Sequence, residues 1–362
     1  MMSSKKIADL EKESLEEGGF QETPPTDVVA YTELRSCADL YRMYDDDILK
    51  IQPEFQREVV WKGPAQTRFI DSLIKQLPIP SLCFGLDYNT EEWQVIDGLQ
   101  RISSVIRFLK PDSDWELSVL EDVDPRIAGT GVVEFRKKGT DLFKLYQRIQ
   151  NATLPITVLR CDTTKETHSN YLFMIFHRLN TGGMKLNNQE IRNCIFAGSF
   201  NNLLKKLDQN HDWLSLHRLK EPTPDRFKRR ELILRFLTFT TKFESYNGEL
   251  SRFLNSFMRE NRNAQKRELD KLERLFNRAV KVIATNLLAD LDDRPSLTLL
   301  EALLVGVGRN VAKLEKNTQN TIKQSFRRLK QDPEFADQML LEGLAKRQRL
   351  INRMQSAVSA FA

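Results

Sequence analysis

The chain has 362 residues, 40% of them hydrophobic and 29% charged, with a formal net charge of +5. That length suits about two domains. No apolar run reaches the roughly 18 residues a membrane span needs, because the longest, 297–307, is interrupted by Glu301. The opening Met-Met-Ser-Ser-Lys-Lys turns acidic without an apolar stretch, so no secretory signal is expected and a cytoplasmic location is the default. Cys37, Cys83, Cys161 and Cys194 stand apart from one another with no CxxC pair, which excludes a zinc-ribbon or dithiol signature and leaves buried thiols as the expectation. Residues 201–362 hold 31 Lys and Arg against 20 Asp and Glu, whereas residues 1–200 hold 24 against 30. A basic half points to a polyanionic partner; solvated helix faces explain the same numbers equally well.

Residues 1–30 are Glu-rich and poor in aromatics, and they read as a flexible acidic tail, or a short helix before Pro24-Pro25, rather than as core. A mixed α and β pattern follows over 31–185. Phe69, Ile70, Leu73, Ile74 and Leu77 have helical spacing, and Pro78 and Pro80 end that helix. Stretches 81–88 and 93–96 read as a strand pair around a polar turn. Leu99, Ile102, Val105, Ile106 and Leu109 return to helical period. Residues 132–135 are expected as another strand, 141–151 as a helix and 156–161 as a strand. From about 165 nearly everything reads as helix, and 186–362 as an α-helical domain. Residues 171–179 are densely apolar and stop at Thr181-Gly182-Gly183. Asn187 and Glu190 have capping-box spacing, with Ile191, Ile195, Phe196, Leu203 and Leu204 facing inward on one following helix. Further helices are predicted at 227–243, 249–260, 264–289, 296–315, 318–330 and 334–358. The apolar positions Leu269, Leu272, Leu275, Phe276, Ala279, Val280 and Ile283 fit a bundle core better than a coiled coil.

Chemistry concentrates at Val95-Ile96-Asp97-Gly98-Leu99-Gln100-Arg101, where an apolar strand meets an amphipathic helix. A helix N-terminus offers unpaired N–H groups and the positive end of the macrodipole, a ready anion site. Gly98 permits close approach. Arg101 supplies a planar fork for phosphate, and Asp97 a group to orient water or a metal ion. An Asp-Gly turn before a helix is also an ordinary structural device. Two further segments, Pro53-Glu54-Phe55-Gln56-Arg57 and Phe176-His177-Arg178-Leu179-Asn180-Thr181-Gly182-Gly183, put Arg beside Gln or Asn at element ends. Such arginines either pair internally or face an anion. His177 reads as structural or exposed. His168, His211 and His217 lack metal-ligand spacing, so no metal site is expected from them. His211-Asp212 reads as a loop rather than a catalytic dyad.

Phe55-Gln56-Arg57, the Pro78-x-Pro80 lead into a strand, Asp97-Gly98-x-Gln100-Arg101, Phe176-x-Arg178-x-Asn180-x-x-Gly183 and Leu186-x-x-x-Glu190-x-Arg192-Asn193 occur in this order. Together they resemble the family named after the N-terminal domain of GmrSD restriction enzymes, over roughly residues 50–200. The resemblance implies a ParB/sulfiredoxin-like core, binding or hydrolysis of a nucleoside triphosphate, and defence against foreign or modified DNA. It implies Asp97, Gln100 and Arg101 as the chemical residues. Gly98, Gln56, Arg57, Arg178 and Asn180 would line the nucleotide pocket, with Mg²⁺ as a candidate companion ion. Leu99 departs from the pattern by standing where the family often has Gln: either it alters activity or it faces the core.

The His-Asn-His nuclease often joined to such domains has no counterpart after residue 200, and no Asp/Glu-x-Lys or Gly-Lys-Ser/Thr tripeptide occurs. DNA cutting would then fall to the core itself, as a nickase, or to a separately encoded nuclease partner. The basic groups at Arg226, Lys228, Arg229 and Arg230, at Lys266 and Arg267, at Arg327, Arg328 and Lys330, and at Lys346, Arg347 and Arg349 are candidates for phosphate contact or for solvated faces. The expectation is therefore an α+β chain: a mixed sheet with helices, then a helical domain, in a nucleotide-dependent DNA-targeting defence protein. The alternative is a non-catalytic nucleotide- and DNA-binding switch on a separate nuclease. Oligomeric state is not legible.

Overall fold

The computed structural model describes residues 23–51, 61–179, 187–217, 226–291, 296–335 and 347–362, and they fall into two compact units. Gln56, Arg57, Asn180 and Lys346 lie outside the described residues.

The first unit is a five-stranded mixed sheet with helices on both faces. In chain order it runs β1 (Val29–Ser36), α1 (Cys37–Asp45), β2 (Leu49–Lys50), α2 (Gly63–Ile74), β3 (Leu82–Asp87), β4 (Trp93–Asp97), α3 (Leu99–Leu109), α4 (Asp141–Asn151), β5 (Thr153–Cys161) and α5 (Glu166–Leu179). The strand order is β1-β5-β3-β4-β2. β1 with β5 and β3 with β4 pair antiparallel, whereas β5 with β3 and β2 with β4 pair parallel. Alternation along the strands divides the two faces. Leu82 and Phe84 of β3 and Leu154, Ile156 and Val158 of β5 share one core with the apolar sides of α1 to α4. On the other face Gly85 meets Ile96 and Leu172 of α5. Over α3 the expected apolar positions Ile102, Val105, Ile106 and Leu109 are buried, Leu99 is half-buried, and Phe108 joins the buried face.

Two expectations for this unit need correction. Residues 132–135 form a 3₁₀ turn, Val132–Arg136, rather than a strand. Val132 and Phe135, three apart, are the buried pair, and the Phe135 ring meets Phe108 edge-on at 5.2 Å. A strand would have buried alternate residues. The expected tail to residue 30 is structured from within: β1 begins at Val29. As an edge strand it leaves Val29, Tyr31 and Leu34 exposed, so no burial alternation marks it in the sequence, and its ladder with β5 holds it. Just ahead of it, Asp27 accepts from Lys165 and from His168 Nε2. His168 Nδ1 accepts the Asp162 N–H at 3.0 Å, which assigns the proton to Nε2. These contacts hold the Asp27 carboxyl at about 2, through Lys165 first and His168 second. Two elements were not among those expected: α1, although Ser36 caps it and Cys37, Leu40 and Met43 bury one face, and β2, which is only two residues long.

The second unit is helical throughout: α6 (Asn188–Ile195), α7 (Ser199–Leu207), α8 (His211–Leu216), α9 (Arg226–Lys242), α10 (Leu250–Asn261), α11 (Lys266–Leu287), α12 (Leu297–Leu314), α13 (Gln319–Gln331) and α14 (Arg347–Phe361). The capping box forms as its spacing predicts: Asn187 Oδ1 accepts from Glu190 N at 2.9 Å, and Glu190 accepts from Asn187 N at 2.6 Å. The single helix expected after it is two. The chain breaks at Gly198, where a Cβ would lie 2.4 Å from the Arg262 carbonyl, so only glycine allows that approach. His211 and Asp212, expected in a loop, open α8, whose N-cap Asn210 accepts from Trp213 N at 3.0 Å. The expected 334–358 helix is represented among the described residues by α14 and a 3₁₀ turn at Pro333–Phe335. All four cysteines are buried.

Candidate nucleotide site

β4 delivers Asp97 to one end of the sheet, and Gly98 turns the chain straight into α3. Gly98 has φ +93°, in the left-handed region, and a Cβ there would lie 2.1 Å from Leu82 Cδ2. Two independent constraints therefore demand glycine. Gly98 is the N-cap and offers no side-chain cap, so the first amides of α3 keep their anion-binding capacity.

Arg101 sits one turn along α3 and reaches back. Its Nη2 donates to Asp97 Oδ2 at 2.8 Å, and its Nη1 donates to the Pro80 carbonyl. Its side chain is 14% exposed against 36% for Asp97. Burial pulls the guanidinium below its ordinary value against the opposing pull of Asp97, although an arginine remains charged. The fork thus fixes one oxygen of Asp97 and leaves Oδ1 without a hydrogen bond to any described residue. Gln100 turns the other way: its Oε1 accepts the Trp61 backbone N–H at 3.2 Å. Leu99 packs against the sheet-and-helix core, which makes its side chain structural here. Across the ladder from Asp97, Cys83 is pushed up to about 12, by burial first and Asp97 second. A thiol held this high is a poor nucleophile.

Arg178 is exposed in the last turn of α5. That helix starts beside the Asp87 end of the sheet, where Ser169 Oγ donates to the Thr163 carbonyl and the Thr163 N–H to Asp87. It passes Gly85 and Ile96 at Leu172, and so carries Arg178 towards the end that bears Asp97. His177 is likewise exposed. The structure therefore brings Asp97, Gly98, Gln100 and Arg101 together and points Arg178 to the same end of the sheet. The sequence did not single out Trp61 N–H, Pro80 O and Leu82. Backbone groups and a packing neighbour carry no residue-type signal, although the Pro78-x-Pro80 motif marked the place.

A cavity of about 460 Å³ opens at the opposite end of the sheet, lined by Asp47, Ile48, Tyr88, Glu91, Trp93 and Arg160 among others. None of the motif residues lines it, and its acidic wall suits no phosphate. No group of three His, Cys, Asp or Glu able to hold a metal occurs among the described residues. A single carboxylate such as Asp97 fits Mg²⁺ only in the manner in which that ion is shared with nucleotide phosphates and water.

In the helical unit two members of the expected basic cluster on α9, Arg229 and Arg230, are internal, whereas Lys228 is exposed. Arg229 donates to Asp208 through Nε at 2.9 Å and Nη2 at 3.2 Å, and Arg230 Nε lies 3.7 Å from the same carboxylate. Asp208, Arg229 and Arg230 are all buried. Their charges hold α9 to the end of α7 and do not face solvent anions, which corrects that part of the phosphate-contact expectation. Arg192, from the last of the five family segments, is 1% exposed and bonds Asn255 at 2.9 Å and Glu231 at 3.0 Å.

No curated protein and no solved structure matches the chain. Among the described helices none is long and apolar enough to cross a membrane. The family model for the GmrSD restriction endonuclease N-terminal domain matches residues 37–197, from the first turn of α1 to just past α6, and so includes the Asp97–Arg101 turn. The match supports a domain of the GmrSD restriction endonuclease N-terminal type over these residues, 161 of the 362.

Proposed function

We propose that this chain is a restriction-type defence protein that handles a nucleoside triphosphate at the Asp97–Arg101 turn and targets DNA. The observation that carries the reading is the turn itself: an uncapped helix N-terminus beside an Asp97 carboxylate whose one oxygen is fixed by Arg101 and whose other is open. Phosphates would lie on the α3 amides. Asp97 Oδ1 would orient the attacking water or take a share in a phosphate-bound Mg²⁺, whose contribution is neutralisation of phosphate charge. Arg101 acts chiefly by holding Asp97, and Gln100 by holding the chain at Trp61. Gln56, Arg57, Arg178 and Asn180 remain proposed pocket members on the family pattern.

A second reading is favoured by the engagement of Arg101. A guanidinium already bonded to Asp97 and Pro80 has little left for a transferring phosphoryl group. The chain would then bind nucleotide and DNA as a switch on a separate nuclease without useful turnover.

Calorimetry with each of the four NTPs and Mg²⁺ tests the shared part. Micromolar binding by the wild type, lost in Asp97→Ala, supports the site; absence of binding to all four NTPs sinks it. Multiple-turnover phosphate release, with and without DNA, separates the two readings. Release that vanishes in Asp97→Ala supports the enzyme, and background-level release supports the switch.

A further inference from the structure

Helix α11 buries Phe276, Ala279, Val280 and Ile283 on one side. On the opposite side Arg267, Lys271, Arg274, Arg278 and Lys281 follow one another at alternating spacings of four and three, and all five are exposed. Residues so spaced share one helix face, so the cations form a line about 21 Å long at roughly 1.5 Å per residue. Lys271 pairs with Glu268 and Arg278 with Glu315, each pair open to water, where such bonds are weak and readily exchanged. Arg267, Arg274 and Lys281 form no ion pair among the described residues; Arg267 and Lys281 sense Glu268 and Glu315 only as neighbouring charges. Asp270 flanks the line half-buried, and Glu273 is engaged by Lys206.

We infer that this face of α11 docks the sugar-phosphate backbone of duplex DNA. The inference rests on the DNA-targeting reading above and gives it a surface. A straight line of cations matches a regular row of phosphates, which one strand presents about every 3.4 Å. No aromatic side chain lies on the line, so it lacks the stacking platform that single strands require. The apolar face of α11 is inside the bundle, so the helix has nothing to insert into a membrane surface. A protein partner would call for an apolar centre within a charged rim, and the line has none. Contacts of this kind are blind to sequence and depend steeply on salt.

The test is fluorescence anisotropy of a labelled duplex titrated with the full chain over a series of salt concentrations. Arg267→Gln/Arg274→Gln/Lys281→Gln should weaken binding at least tenfold, and should lower the slope of log affinity against log salt by about 2.7, at roughly 0.9 for each phosphate no longer neutralised. Arg274→Glu alone should weaken binding at least threefold, and serves if the triple variant fails to melt like the wild type. The control Arg327→Gln/Arg328→Gln/Lys330→Gln removes the same charge from α13, where these side chains are also exposed, and should stay within about threefold of wild type. Equal losses in both triple variants would mean that net charge alone attracts DNA, and would overturn the assignment to α11. A wild type that binds nucleotide but no duplex would overturn this inference while leaving the nucleotide site standing. Duplex binding that depends on α11 in a protein that binds no NTP would do the reverse. Tighter binding to phosphatidylserine vesicles or to single strands than to duplex would replace the proposed partner.

Discussion

At the scale of single residues, the site is governed by one glycine and one arginine. In Gly98→Ala the new methyl group meets Leu82 Cδ2, and the residue must hold φ +93°. An incompatible φ and an overpacked neighbour each cost on the order of 1–3 kcal/mol, so a loss of about 2–6 kcal/mol is expected in urea unfolding. Part of that loss should be recovered when Gly98→Ala is made in a Leu82→Ala background, because the clash is removed. An undiminished cost there would show that the backbone angle alone demands glycine. A different residue should report on pH. His217 ends α8 with its ring 4.5 Å from that of Trp213, and its Nε2 is buried with no hydrogen-bond partner among the described residues. Burial first, then Arg229, lowers its pKa from 6.5 to about 4. Below pH 6.5 the unfolded chain takes up a proton that the folded ring refuses until about pH 4. Stability should therefore fall as pH drops through that window, by about 3 kcal/mol at roughly 1.36 kcal/mol per pH unit. His217→Gln should flatten this part of the pH profile, measured as unfolding midpoints at pH 7 and pH 4.5. An unchanged slope would place the acid sensitivity elsewhere.

At the scale of elements, much of the architecture was legible because burial imposes a period on the sequence. α3 and α4 match their predicted limits, and the capping box places the start of α6 at the residue after Asn187. The β3–β4 pair was readable for the same reason. Elements that lack one-sided burial were not readable. β1 is an edge strand with exposed apolar side chains, β2 is two residues long, and the 132–136 turn buries by threes. The motif marks the candidate site, but not the division of labour within it. That division rests on Pro80 O, Trp61 N–H and a guanidinium turned inward, and none of these is encoded by residue type. Arg192 makes the same point. By sequence it is one more arginine in a family segment; in the fold it begins a buried chain of charges through Glu231 and Arg235 to Glu301. Removing one member of such a chain strands its partners in low dielectric, at about 3–5 kcal/mol. Arg192→Ala should therefore unfold the helical unit at markedly lower urea. A shape-preserving Glu301→Gln, at the chain's other end, should cost less, because Arg235 keeps Glu231. If Arg192→Ala instead left stability intact and abolished nucleotide binding, Arg192 would belong to the site.

At the scale of the whole molecule, charge and chemistry lie on different units. The open carboxylate and uncapped amides belong to the sheet unit, and the line of five cations belongs to the helical unit. A nucleotide-dependent DNA-targeting protein must connect the two energetically, and linkage fixes the form of that connection. If nucleotide changes duplex affinity by some factor, duplex changes nucleotide affinity by the same factor, commonly about 5–150-fold. Asp97→Ala should retain duplex affinity at the level of the nucleotide-free wild type and should lose the response to added NTP. Arg267→Gln/Arg274→Gln/Lys281→Gln should retain nucleotide affinity at the level of the DNA-free wild type and should lose the response to added duplex. Calorimetric titration of NTP with and without duplex, paired with anisotropy of duplex with and without NTP, closes the cycle for each protein. Equal factors in the two directions, both collapsing to one in either variant, are the expected result. Wild-type protein that binds both ligands with a factor of one in each direction would show two independent sites, and the nucleotide could then not be the signal that governs DNA engagement.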